Sequence, residues 1–346
     1  MWIFEHIARR WCILLALVIT PFPVAAADRT FTLASWNIEH LAAADGQGCR
    51  GRDGAEYQAI RRYLEQIRAD VIAFQEVENQ QAAARIFPAA DYDVYISARP
   101  TRTFSQCYDG PNHRLMQRTG FAVRKDIGNR LGLRAVRQPD VKALQGAYAS
   151  GRWGVYLVLE PSGRERVRPT SAGSMSTDST SAGSTSTRAT TTPARHIRAP
   201  LHLLSIHLKS RCTYQSVNGR KANNSCRLLW QQVEVLADWI GARADAGQDF
   251  IIAGDFNRQL DQLSDEVWLR LEAGVGNAYV DLEKALHGMK HPQPYIRKYP
   301  FAIDHIIYNQ ALDALAIEEQ TCFDVRAAPY SDHLPLISVF EMMAYD

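Results

Sequence analysis

The sequence lacks the strong signals that assign a class at a glance. It has almost no excess charge: 39 lysines and arginines face 37 aspartates and glutamates, a formal net charge of +2. That balance excludes no partner, and a nucleic-acid binder of this composition would need a local basic strip. The apolar run near the start, residues 11–24, falls short of the ~20 residues a membrane-spanning helix needs. Cysteines are few, six in all, with no C-x-x-C or paired-histidine spacing to support a zinc site. What is present is ordinary globular composition, 46% hydrophobic and 22% charged over 346 residues. Such a chain can build a sizeable core in one large domain or two small ones.

The first residues have their own logic. "MWIFEHIARR" supplies a basic pair, Arg9-Arg10, "WCILLALVITPFPV" an apolar core, and "AAAD" small residues at a cleavage position. Residues 1–27 therefore read as a signal peptide cut after Ala27, with the mature chain, 28–346, periplasmic or secreted and without stable membrane insertion. Cys12 leaves with that peptide. The remaining Cys49, Cys107, Cys212, Cys226 and Cys322 favour disulfides in an oxidising compartment, and their odd number predicts one unpaired thiol. Cys212 and Cys226 bracket the polar loop "CTYQSVNGRKANNSC" and form the natural pair, a staple of ~3 kcal/mol in the chain-entropy model.

Strand-like runs recur at 31–38, 70–77, 92–97, 120–125, 154–160, 200–208, 249–255, 302–308 and 335–340, several of them apolar throughout, as strands buried on both faces are. Helical periodicity appears at 53–69, with Tyr57, Ile60, Tyr63, Leu64 and Ile67 on one stripe. A second helical stretch, 225–243, aligns Leu229, Val233, Leu236 and Ile240. The alternation, with several consecutive strands mid-chain, predicts an α/β protein with a mixed sheet, or two sheets packed together, under helices. "TSAGSMSTDS" followed by "TSAGSTSTRA" is a near-perfect duplication too polar to offset its ordering entropy. It is expected to be a disordered Ser/Thr/Gly-rich insert, about 168–195, inside a single domain.

Polar residues collect at the ends of the apolar strands, where open α/β sheets build their sites. Asn37, Glu76, His207, Asp255, Asn257, Asp304 and the pair Asp332-His333 all sit there. Taken alone, most have an ordinary explanation: a turn amide, a helix cap, a core histidine. Asp304 within "AIDHIIY" does not, because a carboxylate buried without a partner is expensive. The Asp255/Asn257 pair closing "FIIAGDFN" also resists one; alternation along the strand end is expected to put both on one side with Phe256 on the other, and Gly254 is expected to let backbone pass close to a ligand. Together the residues supply hard oxygen ligands, an acid–base pair and neutral donors, an inventory suited to hydrolysis of a phosphate ester.

The ordered set "WNIEH", "QEVE", "IHLKS", "GDFN", "IDHI" and "SDHLP" resembles the endonuclease/exonuclease/phosphatase superfamily over about residues 31–340. The resemblance implies a four-layer α/β sandwich, two mixed β-sheets packed face to face with helices outside. It also implies roles: Glu76, Asn37 and Asp332 at a Mg²⁺ or Mn²⁺ ion, Asp304 and His333 as an Asp–His pair, Asp255 on the attacking water, Asn257 and His207 against the phosphate. Whether Asp255 or His333 is the base stays open. Arg118 reaches the phosphate or is a solvated loop arginine. Cys49 and Cys107 lie in loops that would rim the same catalytic face, which makes them the second disulfide candidate.

Three functional readings follow from the resemblance. The preferred one is a secreted, monomeric, divalent-metal-dependent phosphoesterase cutting nucleic acid, with basic stretches at 124–137 and 163–168 available to track a backbone. The alternative is a hydrolase of sphingomyelinase or inositol-phosphatase type, which would favour an exposed apolar hairpin that the sequence does not show. The third, a binding module without catalysis, is opposed by the retention of every reactive residue.

Overall fold

The computed structural model describes residues 30–102, 105–108, 110–147, 151–162, 200–217, 219, 222–276, 281–286, 301–309 and 321–341. The expected signal peptide, the whole Ser/Thr/Gly-rich insert and the basic stretch 163–168 lie outside the described residues.

In chain order the elements are β1 (Thr30–Leu41), α1 (Gly54–Ile67), β2 (Val71–Val77), α2 (Gln80–Ile86), β3 (Tyr92–Ile96), β4 (Arg118–Arg124), α3 (Ile127–Leu131) and β5 (Leu133–Arg137). Then follow β6 (Val155–Pro161), β7 (Leu201–His207), α4 (Asn224–Asp245), β8 (Asp249–Asp255), α5 (Glu266–Gly274), β9 (Leu282–Lys284), β10 (Asp304–Asn309), β11 (Cys322–Phe323) and β12 (Leu336–Glu341). The strands form two six-stranded mixed sheets, ordered β11-β12-β1-β2-β4-β3 and β5-β6-β7-β8-β10-β9.

Strand alternation explains the layering. Phe31 and Leu33 of β1, Val71 and Ala73 of β2, Leu201 and Leu203 of β7, and Ile251 and Ala253 of β8 share one core between the sheets. The residues of opposite parity face outward and are buried too. Ala34, Trp36, Ile72 and Phe74 pack with Tyr57, Ile60, Tyr63 and Leu64 of α1, whereas Leu204, Ile206, Phe250 and Ile252 pack with Leu229, Val233, Leu236 and Ile240 of α4. Both faces of each central strand are covered, so their sequences read as continuous apolar runs. The result is the expected four-layer α/β sandwich.

Local chemistry sets the helix ends. Asp53 caps α1 in a capping box with Glu56, and Arg68 closes it in the left-handed region. Asn223 caps α4 by accepting from the Cys226 amide. The stretch 124–137 is not the basic loop expected from its charges. It holds the end of β4, the helix α3 and the edge strand β5, and all four of its arginines are paired, Arg124 with Asp126, Arg130 with Asp70, Arg134 with Glu160 and Arg137 with Asp140.

Candidate active site

The pairs β1–β2 and β7–β8 are parallel and deliver their carboxyl ends to the same end of the sandwich. Asn37 and Glu76 arrive from one sheet, His207 and Asp255 from the other. Strand β10 runs antiparallel to β8 and pairs Asp304 directly with Asp255. The loop carrying His333 is fastened to β1: Ser331 Oγ donates to Asn37 O (2.7 Å), the His333 amide donates to Ser331 Oγ (3.0 Å), and Trp36 Nε1 donates to His333 O (3.1 Å).

Asp255 is the hub. Its Oδ1 accepts the Asn257 amide at 2.8 Å, and its Oδ2 accepts Asn37 Nδ2 at 3.1 Å. His207 Nε2 lies 3.4 Å and His333 Nε2 3.8 Å from the same Oδ2. Burial, with Asp304 beside it, raises the Asp255 pKa to about 7. His333 Nδ1 meets Asp304 Oδ2 at 2.7 Å. Burial opposes the charged imidazole, but the Asp304 and Asp255 carboxylates outweigh it and hold the His333 pKa well above its ordinary value. His207 goes the other way: burial first, then Arg152 and the neighbouring His333, lower its pKa well below the ordinary value.

Glu76 faces Asn37 Nδ2 at 3.4 Å and accepts the His40 amide at 3.2 Å, with His40 Nε2 3.6 Å away. Burial works against its charge, yet His40, Arg152 and His333 hold its pKa below the usual carboxylate range. Asn37 presents its amide nitrogen to Glu76 and Asp255, while its oxygen accepts the Glu39 amide at 3.1 Å. That bond fixes the orientation of the carboxamide and leaves one oxygen lone pair for a cation. Asp332 stands at the rim, its side chain 48% exposed and its amide donating to Glu39 Oε2.

Three local expectations need correction. Asn257 does not continue the strand; it adopts φ 53°, and its Nδ2 donates to Leu208 O at 3.1 Å. Phe256 does turn into the packing and is fully buried. Gly254 is required by protein rather than by a ligand: at φ +154°, a Cβ there would lie 2.0 Å from Ile206 O of the neighbouring strand. Arg118 is neither a solvated loop residue nor aimed at the cleft. It opens β4, is buried, and donates to Arg99 O (3.0 Å), Thr101 Oγ1 (3.0 Å) and Glu78 O.

Sequence reasoning missed His40, Gln117 and Arg152. Arg152 Nη2 donates to Gln117 Oε1 at 2.5 Å, and its Nη1 donates to Leu208 O at 3.4 Å, the carbonyl that Asn257 also uses. The available signal was an arginine flanked by Gly151 and Gly154, the first packed against the Gln145 backbone and the second under the side chains of Leu144 and Leu204. Both expected disulfides form, Cys49–Cys107 and Cys212–Cys226. The expectation of an unpaired thiol fails, because Cys322 is also disulfide-bonded and no cysteine among the described residues is free.

Buried carboxylates, an Asp–His pair and a carboxamide at one end of a two-sheet sandwich define a hydrolytic type of site. The sequence profile described as Endonuclease/Exonuclease/phosphatase family matches residues 34–333, and the chain belongs to that family. Among solved structures it is similar to an AP endonuclease from Leishmania major (13% identity, 94% of this chain and 93% of that one, TM-score 0.52). It is also similar to an AP endonuclease from Archaeoglobus fulgidus (13%, 90% and 99%, TM-score 0.51) and to the catalytic domain of human nocturnin with bound sulfate (14%, 91% and 95%, TM-score 0.50). At these identities the likeness concerns the fold. No curated protein matches the sequence.

Proposed function

We propose that the protein is a divalent-metal-dependent phosphodiesterase acting on nucleic acid. The observation that carries this reading is the Asp304–His333 pair set against Asp255, with Glu76 across the same cleft, in a member of this family. The donors fit a hard cation. Glu76 is an ionised carboxylate kept 13% exposed at the cleft, with the spare lone pair of Asn37 beside it and the Asp332 carboxylate at the rim, and the buried Asp304 Oδ1 has no hydrogen-bond partner among the described residues. A second grouping, Asp255, Asp304 and His333, has its ligand atoms within 4.8 Å of one another. An imidazole held protonated cannot ligate, which favours the Glu76 side. When bound, Mg²⁺ or Mn²⁺ would polarise the phosphate and neutralise its charge.

The chain's own residues divide the remaining work. Asp255, with a pKa near neutrality and two fixed donors, is placed to take the proton of an attacking water. His333, cationic and oriented by Asp304, meets charge developing on phosphate oxygens, as do Asn257 and neutral His207. Two disulfides support an exported protein, since such bonds persist in oxidising compartments.

The test is hydrolysis of bis-p-nitrophenyl phosphate, plasmid DNA, RNA, sphingomyelin and inositol phosphates by the purified protein and by the His333→Ala variant, with EDTA, Mg²⁺ or Mn²⁺. Diester and nucleic-acid turnover that EDTA abolishes and Mg²⁺ or Mn²⁺ restores is expected. Full activity in excess EDTA would overturn the metal assignment, and selective turnover of a lipid or an inositol phosphate would overturn the nucleic-acid assignment.

A further inference from the structure

Two loops at the rim of the cleft are each pinned by a disulfide, and each exposes a tyrosine beside arginines. The first joins β3 to β4. Cys107 bonds it to Cys49 in the loop after β1, and Asn112 Nδ2 donates to the carbonyls of Gly46 (2.8 Å) and Gly48 (3.1 Å) in that same loop. Arg118 fastens its base through Arg99 O and Thr101 Oγ1. The loop presents Arg102, Tyr108 and Arg114, all exposed. The second loop follows β7 and carries Arg211 and Tyr214 around Cys212, which is bonded to Cys226. Arg258 Nη1 donates to the carbonyls of Cys212 (3.0 Å) and Gln215 (2.6 Å), and the Gln259 amide to Thr213 O (2.9 Å). This loop thus stands on the residues that directly follow Asn257.

The four exposed large hydrophobics among the described residues include Tyr108, at 94%, and Tyr214, at 62%. A single exposed ring needs no explanation, but here half of them occupy cross-linked loops beside one cleft. A tyrosine on a rigid loop offers contact area with little ordering entropy left to lose on binding. Between the loops Arg152 and Lys209 continue the positive charge, and no ion pair among the described residues uses Arg102, Arg114, Arg152, Lys209 or Arg211. Such an arc favours a polyanion and disfavours an ester whose head group carries a cation.

We propose that the two loops form a platform for single-stranded nucleic acid, with Tyr108 and Tyr214 stacking on unpaired bases and Arg102, Arg114 and Arg211 contacting the flanking phosphates. Rings stack on any base, but only when the base face is free, as it is in a single strand and not in a duplex. The cations contribute a salt-dependent term common to both forms. This inference rests on the nucleic-acid reading above and adds which form of the polymer is preferred and which residues select it.

The experiment measures binding of a fluorescent oligonucleotide by anisotropy in EDTA, so that no strand is cut, against a duplex of the same sequence. The wild type is expected to bind the single strand more tightly. Tyr108→Ala and Tyr214→Ala should each weaken single-strand binding by about fivefold or more, with duplex binding and bis-p-nitrophenyl phosphate turnover unchanged. Arg102→Ala/Arg114→Ala should weaken both forms and flatten the dependence on salt. Equal affinity for both forms, or tyrosine variants that bind like wild type, would overturn the proposal, as would tyrosine-dependent binding to sphingomyelin vesicles in place of the oligonucleotide. Loss of diester turnover in the wild type would instead strike at the hydrolase reading, because binding is read separately. Equal melting temperatures for all variants check that the loops stay folded.

Discussion

Four of the seven described non-glycine residues with positive φ, Glu39, His40, Glu76 and Asn257, sit at the cleft. Each such conformation costs on the order of 1 kcal/mol or more and survives only where its surroundings dictate it. Here those surroundings are the site's own hydrogen bonds: the amides of Glu39, His40 and Asn257 donate to Asn37, Glu76 and Asp255. Backbone strain therefore aims the carboxylates, and periodicity alone could not reveal it. Function at this scale is sharply localised. Removing the imidazole in His333→Ala should lower kcat by roughly 10²–10⁴-fold with little change in melting temperature, checked by turnover and thermal unfolding on one preparation. Gly254→Ala should do the reverse of a clean active-site change. With Ile206 O only 2.0 Å from the added Cβ, it should cost ~2 kcal/mol or more and reduce soluble yield. A third effect belongs to His202, beside the Tyr156 hydroxyl, whose pKa is lowered to about 4 by burial and by Arg243. The unfolded chain takes up this proton below its ordinary value of 6.5 and the folded one resists it, so the associated stability is present above pH 6.5 and is lost as pH falls toward 4. Urea midpoints of wild type and His202→Gln should diverge over that window and run parallel above it.

At the scale of elements, legibility followed burial. Strands covered on both faces, such as β1, β7 and β8, showed themselves as apolar runs, and α1 and α4 as stripes. Of the short edge strands, β3 showed itself, but β5, β9 and β11 did not. In β5, "LRAVR", only Leu133 is buried, so the arginines dominated its appearance. α2 was hidden because "QQAAARI" has helix propensity but too few turns to show a stripe. Most of the site was legible because its reactive residues end visible strands. His40, Gln117 and Arg152 were not, because their importance comes from distant chain segments meeting. The disulfides act at the same scale. Cys212–Cys226 spans 14 residues and Cys49–Cys107 spans 58. The chain-entropy model then gives ~3 and ~4 kcal/mol respectively. Paired Cys→Ser variants should lose stability in that order in urea unfolding. The Cys49/Cys107 variant should also weaken oligonucleotide binding, because that bridge ties Tyr108 and its arginines to the β1 loop; unchanged binding would separate that bridge from the platform.

For the whole molecule, the question is what the long segment between β6 and β7 contributes. Its flanking strands are antiparallel neighbours, with Leu159 paired to Leu201, so both ends already lie side by side in one sheet. The site is built from both sides of it: Asn37 and Glu76 precede it, and His207, Asp255, Asp304 and His333 follow. Arg152 is on the near side and Leu208 on the far side of the same bond. Folding must therefore close this connection before the cleft exists, and closure entropy grows with loop length as (3/2)RT ln n. Replacing residues 163–199 with a turn of ~5 residues shortens the connection roughly sevenfold, which should raise stability by about 2 kcal/mol. The same replacement should leave turnover of bis-p-nitrophenyl phosphate within about twofold, because no described contact of the cleft depends on the segment. Urea unfolding and steady-state kinetics on the shortened chain check both halves of the expectation. A stabilised but inactive protein would assign the segment a part in the chemistry. A destabilised one would mean that it packs on the sandwich, contrary to its composition of serine, threonine and glycine.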